Sequence, residues 1–219
     1  YGAIDAAPGA FADALAAFAA DGGRGANVTL PHKPAALALC TTATPRARRA
    51  GAVNTLVRIG DGWHGDVTDG SGLLRDLARH AVALDGMHVL LLGAGGAARG
   101  IAGRMAERLD AGGVDRAHAL DVAALPAQRA FDVIVNATSA ARGDVMPAWP
   151  ASLVHPLSTC VDLGYGAAAG PFLAWSRAAG AHGCIDGLGM LVEQAAESFN
   201  LWHGTWPDAG AVLDMLRGR

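Results

Sequence analysis

Residues 87–100, Met-His-Val-Leu-Leu-Leu-Gly-Ala-Gly-Gly-Ala-Ala-Arg-Gly, constrain the fold more than any other stretch of the chain. Met87 to Leu92 is an apolar run of the kind that parallel sheets bury on both faces. Gly93, Gly95 and Gly96, followed by Ala97, allow a tight turn and a close backbone approach. A helix beginning there offers free N–H groups and the positive end of its dipole. Strand, glycine turn and helix in this order suit a pyrophosphate. The pattern is Gly-x-Gly-Gly and lacks the full Gly-x-Gly-x-x-Gly spacing, so a purely structural strand–helix turn is the other reading it allows.

Alternation of strands and helices continues on both sides of this turn and gives an α/β chain. Residues 9–20 read as an amphipathic helix ended by Asp21-Gly22-Gly23. Ala26 to Leu30 reads as a strand stopped by Pro31, and 34–40 and 45–50 as short helices, the second Arg-rich and exposed. Val53 to Ile59 and Trp63 to Asp66 form a hairpin around Gly60-Asp61-Gly62. Thr68 suits the N-cap of a helix reaching about Ala83, with Leu73, Leu74 and Leu77 on one face. Phe131 to Val135 and Cys160 to Leu163 are further buried strands, and 171–179, 187–203 and 207–217 further helices.

Composition removes several classes of function. Apolar residues make up 52% of 219 and charged residues 17%, which excludes general disorder. A net charge of −3 without a basic stripe argues against nucleic acid. No uncharged apolar run reaches membrane length. Residues 1–20 lack a basic start and carry Asp5 and Asp13, so they do not read as a secretory signal. Cys40, Cys160 and Cys184 are too few and too widely spaced for a disulfide framework or a zinc site, so no metal is expected and a cytoplasmic location fits.

Of 17 basic residues only Lys33 is a lysine. Arg stays charged, whereas Lys can release its proton when its pKa is lowered, so a surviving Lys marks a position where Arg cannot serve. Lys33 follows Asn27-Val28-Thr29-Leu30-Pro31-His32, with Asn54-Thr55 and Asp66-Val67-Thr68-Asp69 further on. A lysine, an aspartate, asparagines and threonines suit a small polyhydroxylated ligand. His32 reads as a neighbour of Lys33 rather than a catalyst. The glycine turn, Asn136-Ala137-Thr138-Ser139 and Asp162-Leu163-Gly164-Tyr165 all end buried strands, where ligands of open α/β sheets sit.

The ordered motifs NVTLPHK, GAVNTL, GDVTDG, GAGGAARG, NATS, DLGY and DGLGMLVEQAA resemble those of shikimate dehydrogenases from about Asp21 to Pro207. The resemblance implies a substrate domain (1–69 with 187–219) beside a Rossmann-like dinucleotide-binding domain (70–186), with the cleft between them. It implies NADP as cofactor, 3-dehydroshikimate and shikimate as the small-molecule substrates, and a monomer or homodimer. Lys33 and Asp69 match the family's catalytic pair. Thr29, Asn54, Gln194 and, less closely, Tyr165 match substrate positions. Gly93, Gly95, Gly96 and Ala97 match the dinucleotide loop, and Asn136, Thr138, Leu163, Gly187 and Met190 match positions near the cofactor. Helical spacing independently allows Gly187, Met190 and Gln194 to share a face. An NAD-using quinate/shikimate paralogue and a non-catalytic nucleotide-sensing relative are the alternatives.

Two family features have no counterpart in these residues. One is the Ser-x-Ser motif for the substrate carboxylate, which would precede Tyr1. The other is the Asn-Arg-Thr loop for the 2′-phosphate of NADP. No apolar β-run lies between the helix starting at Gly96 and Gly112-Gly113, where a dinucleotide fold needs a strand. The residues around Gly103-Arg104 read as two helix fragments joined, and this predicts a break between about Ala102 and Met105, before a strand at Val114–Leu120.

Overall fold

The computed structural model describes residues 1–111, 129–138 and 149–218. Two four-stranded sheets organise them. The first contains β1 (Gly25–Asn27), β2 (Thr42–Ala43), β3 (Thr55–Ile59) and β4 (Gly62–Asp66) in the order β1-β3-β4-β2. The expected hairpin joins β3 to β4, and Gly60 in its turn takes the left-handed φ of +56° that favours glycine. Helices α1 (Phe11–Ala20), α2 (Lys33–Leu39) and α3 (Pro45–Ala50) contribute Leu15, Ala36 and Ala47 to a core with Val53, Leu56 and Trp63.

The second sheet contains β5 (Val89–Leu92), β6 (Phe131–Asn136), β7 (Val154–Asp162) and β8 (Gly183–Ile185), ordered β5-β6-β7-β8 with every pair parallel. The apolar runs of β5, β6 and β7 are buried because both faces are covered, and the polar residues Asn136 and Asp162 stand at the strand ends. Ile134 joins a cluster with Cys160 and Phe172, while Val133 and Val135 join Leu73, Leu77 and Ile101 on the other side. Helix α5 (Gly96–Ala111) follows β5, and α6 (Gly170–Ala178) precedes β8. Helix α4 (Asp69–Arg79) leads from the first sheet to the second, α7 (Leu188–His203) leads back alongside it, and α8 (Ala209–Leu216) follows.

Several expectations need correction. The first strand is β1 alone and does not reach Leu30, because the chain turns at Thr29, whose carbonyl accepts the His32 N–H at 2.9 Å. Helix α4 stops at Arg79 rather than near Ala83, with Ala81 at φ +57° turning the chain so that Leu84 reaches the core. Thr68 precedes α4 but its side chain makes no capping bond, since Asn54 holds it. The strand at Met87 begins two residues later, at Val89, and β7 begins earlier than expected, at Val154. Helix α3 is not simply exposed: Ala47 and Ala50 are buried, and Arg46 bonds Asp66 and Glu197. The predicted break is absent. Gly103 and Arg104 lie within the continuous α5, where Ile101 and Met105 are buried one turn apart. Val114–Leu120, Gly112-Gly113 and Ser139 fall outside the described residues. Among the described residues no helix is long and apolar enough to cross a membrane.

Candidate active site

A cleft of about 1560 Å³ is lined by residues from both sheets. Lys33 opens α2, where Pro34 is tolerated because the first turn has no intrahelical use for its missing N–H. The Lys33 carbonyl accepts the Val53 N–H at 2.9 Å, which pins this end of α2 beside the start of β3. Asp69 sits in the first turn of α4, where the helix dipole favours a carboxylate. Lys33 Nζ donates to Asp69 Oδ2 at 2.6 Å, and the two residues are 7% and 5% exposed. The pair is thus a charge-assisted hydrogen bond at the buried wall of the cleft.

Asn54 organises the other side of Asp69. Its Nδ2 donates to Asp69 Oδ1 at 3.0 Å, to Thr68 Oγ1 at 3.0 Å and to Gln194 Oε1 at 3.1 Å. Its Oδ1 accepts from the Thr68 N–H at 2.9 Å and from Thr55 Oγ1 at 3.0 Å. Ser198 completes the network from α7, 2.8 Å from Thr55 Oγ1 and 2.9 Å from Asn27 Nδ2. Thr29 lies exposed on the cleft wall, and Tyr165 lies at the rim, 51% exposed. His32 stacks on Phe11, bonds the Ala6 carbonyl and lines the cleft beside Lys33.

The glycine turn faces this wall. Gly93 has φ +112°, and a Cβ there would lie 2.9 Å from the Ala137 carbonyl, so only glycine lets β5 end so close to β6. Gly95 has no atom within 4 Å of an added Cβ, leaving open space on the cleft side. A Cβ on Gly96 would come within 3.9 Å of Lys33 Cβ, so the turn and the lysine are neighbours. Ala97, Thr138, Leu163, Gly187 and Met190 line the same cleft. Asn136 does not: fully buried, it donates to Asp162 Oδ2 at 2.8 Å and accepts from the Thr138 N–H and hydroxyl. It shapes the floor that carries Thr138. Burial pushes the Asp162 carboxyl up, against the opposing effect of the Asn136 and Gly164 hydrogen bonds.

Ser198 carries no sequence signal of a site role, and Thr55 and Thr68, members of the polar constellation in the sequence, gain a specific role here as partners of Asn54. Thr68 read as a cap, and Ser198 belongs to no motif, although it lies one turn beyond Gln194 on the same face of α7. Arg99 was also missed. Its Nε donates to the Ala50 carbonyl at 3.0 Å and its Nη1 to the Ala94 carbonyl at 3.1 Å, joining α3 to the glycine turn. Chemically, the cleft offers a buried ammonium able to give or take a proton. Amides and hydroxyls surround it, and a helix N-terminus lies opposite.

Residues 1–56 match the family model described as the shikimate dehydrogenase substrate binding domain, and residues 187–217 match that of the shikimate 5′-dehydrogenase C-terminal domain. A Stenotrophomonas maltophilia (strain R551-3) protein named shikimate dehydrogenase (NADP(+)) is 53% identical, with 99% of this chain and 85% of the relative covered. One from Xanthomonas campestris pv. campestris (strain B100) with the same name is 53% identical over 241 residues, covering 100% of this chain and 85% of the relative. That span exceeds the 219 residues here, so the relative carries residues inside the matched region that have no counterpart in this chain. Among solved structures, an Ael1 enzyme from Pseudomonas putida superposes with a TM-score of 0.83 at 34% identity, covering 99% of this chain and 86% of its own. The shikimate 5-dehydrogenase of Thermus thermophilus, in complex with NADP(H) and shikimate, gives 0.77 at 29% identity, covering 98% and 85%. With identity above half along nearly its whole length, the chain belongs to the shikimate dehydrogenase family.

Proposed function

We propose that this chain is an NADP-dependent shikimate dehydrogenase, catalysing the reversible reduction of 3-dehydroshikimate to shikimate on the route to chorismate and the aromatic amino acids. The observation that carries the reading is the buried Lys33–Asp69 pair at 2.6 Å, set against the glycine turn in one cleft. Residues 1–69 with 187–219 form the substrate side and 70–186 the nucleotide side, a division supported by the two separate sheets.

The residues fit the cofactor where the chemistry occurs. Open space at Gly95 and the first turn of α5, whose leading N–H groups have no intrahelical partner, suit the pyrophosphate. Thr138, Leu163, Gly187 and Met190 form the wall beyond it. NADP, when bound, supplies the hydride. The protein supplies alignment and a proton. Lys33 Nζ gives a proton to the carbonyl oxygen as it becomes a hydroxyl, and takes it back in the reverse direction. Asp69 holds the ammonium through Oδ2, while Asn54 fixes Oδ1. Thr29, Asn54, Gln194 and Tyr165 meet the ligand's hydroxyl and carboxylate groups.

The test is the absorbance change of the nicotinamide with shikimate and NADP, run beside NAD and beside quinate. Turnover favouring shikimate and NADP is expected. A preference for NAD with quinate would move the chain to the paralogue reading. Nucleotide binding without turnover would leave the non-catalytic one.

A further inference from the structure

Cys160 and Cys184 are direct register partners in the parallel pair β7–β8. Partnered residues of a parallel pair point to the same face, and both side chains pack into the apolar cluster of Phe172 and Leu173 beneath α6. Neighbouring strands lie about 4.8 Å apart, within the ~4.4–6.8 Å Cα separation that disulfides span. Cys184 is partly exposed and lines a second cavity of about 420 Å³ with His80, Arg177, Asp186 and Arg217, whereas Cys160 is fully buried behind it.

We propose that Cys160 and Cys184 form a reversible intramolecular disulfide, entered from the second cavity by a low-molecular-weight disulfide and acting on the cofactor side of the cleft. Cys184 meets the reagent first. Its thiolate attacks one sulfur of the small disulfide, forming a mixed disulfide and releasing one small thiolate. The Cys160 thiolate then attacks Cys184 Sγ, joining the two strands and releasing the second small thiol. The protein loses two protons and two electrons, and the small disulfide is reduced to two thiols. Burial pushes the Cys184 thiol up, while the Arg177 guanidinium opposes this; burial pushes Cys160 up to about 11. Joining the two sulfurs across directly paired positions shifts β8 against β7 at this register.

The geometry transmits that displacement. β7 runs on into Asp162-Leu163 and β8 into Asp186-Gly187, and these extensions touch without slack. The Gly187 N–H donates to the Gly164 carbonyl at 2.7 Å, and a Cβ on Gly187 would lie only 2.2 Å from the Leu163 oxygen. Leu163, Gly187 and Met190 all line the cofactor side of the cleft.

The test uses the Cys40→Ser protein incubated with oxidised glutathione and mapped by mass spectrometry of unreduced peptides. A Cys160–Cys184 cross-link that dithiothreitol reverses is expected. Cys160→Ser should hold a stable glutathione adduct on Cys184, and Cys184→Ser should remain unmodified at Cys160. A stable adduct without a cross-link in the parent, or no reaction at Cys184, overturns the proposal; neither readout depends on turnover. The effect on activity rests on the dehydrogenase reading. Full cross-linking should lower kcat/KM for NADP by about tenfold, the scale of a sub-ångström misplacement, and unchanged kinetics in the cross-linked protein would remove the regulatory role.

Discussion

Replacing Lys33 separates its two duties, holding Asp69 and moving a proton. Lys33→Met keeps the stem of the side chain and removes the ammonium, leaving a carboxylate 5% exposed with the Asn54 amide at 3.0 Å to hold it. Breaking a buried pair by removing one partner costs about 3–5 kcal/mol. The Lys33 side chain retains 9% exposure at the cleft wall, so water relieves part of that cost and the loss should fall near ~3 kcal/mol. For a chain of this length that lowers Tm by roughly 6–12 °C. Lys33→Met with Asp69→Asn removes both charges and should recover most of the loss. Turnover should fall about 10²–10⁴-fold in either variant, because both lack the acid. Lys33→Arg keeps a positive charge beside Asp69 but cannot shuttle the proton, and its larger head meets a carboxylate already at 2.6 Å. Calorimetry gives the Tm values, and initial rates with shikimate and NADP give kcat. Near-normal turnover of Lys33→Arg would refute the proton role. An unchanged Tm for Lys33→Met would refute the claim that the pair holds this wall together.

Gly95→Val should leave Tm within about 1 °C, since its Cβ meets no protein atom within 4 Å, yet weaken NADP binding more than about tenfold in calorimetric titration by filling the pyrophosphate approach. Gly187→Ala should destabilise by about 1–3 kcal/mol in urea unfolding, because its Cβ falls 2.2 Å from the backbone oxygen of Leu163, which has little freedom to move aside. Asp76→Asn should stabilise the protein at pH 8. Burial between α4 and α7 outweighs the nearby His80 and Arg79 and raises the Asp76 carboxyl, so its penalty on the fold grows as pH rises above about 4. The two proteins should converge in urea midpoint at pH 4, and equal midpoints at pH 8 would count against the assignment.

Sequence made the nucleotide half legible where one physical rule dominated. The run before Gly93 had to be a doubly buried strand, and the glycines had to turn, whatever surrounded them. Lys33 stood out through residue choice, and Asp69 through its motif. Ser198 was hidden because hydroxyls are common, and Thr55 and Thr68 were legible as polar neighbours of Lys33 but not as supports of Asn54, a role that arises only when β3, α4 and α7 meet. Asn136 carried a legible motif, but its burial against Asp162 depends on the spacing of β6 and β7. The end of α4 was misjudged because helix propensity continues past Arg79, and the demand that Leu84 return to the core is tertiary. Helix α5 runs unbroken through Gly103 and Arg104, while a 53% identical relative carries residues within the matched span that this chain lacks, a difference the sequence itself showed only as a wanting β-run.

The return of α7 has a consequence for synthesis on the ribosome. Asn27 bonds Ser198 across 171 residues, and Asn54 bonds Gln194 across 140. The first sheet emerges early, but the groups that complete its polar network arrive only after the whole second sheet has been made. At about 5–20 residues per second the early half waits roughly ten to thirty seconds with Asn27 and Thr55 lacking these partners. The second sheet and α6 can consolidate during that interval, whereas the substrate wall closes as α7 docks. A nascent chain arrested before Gln194 should therefore protect β6 and β7 from proteolysis while β1 and β3 remain cleavable.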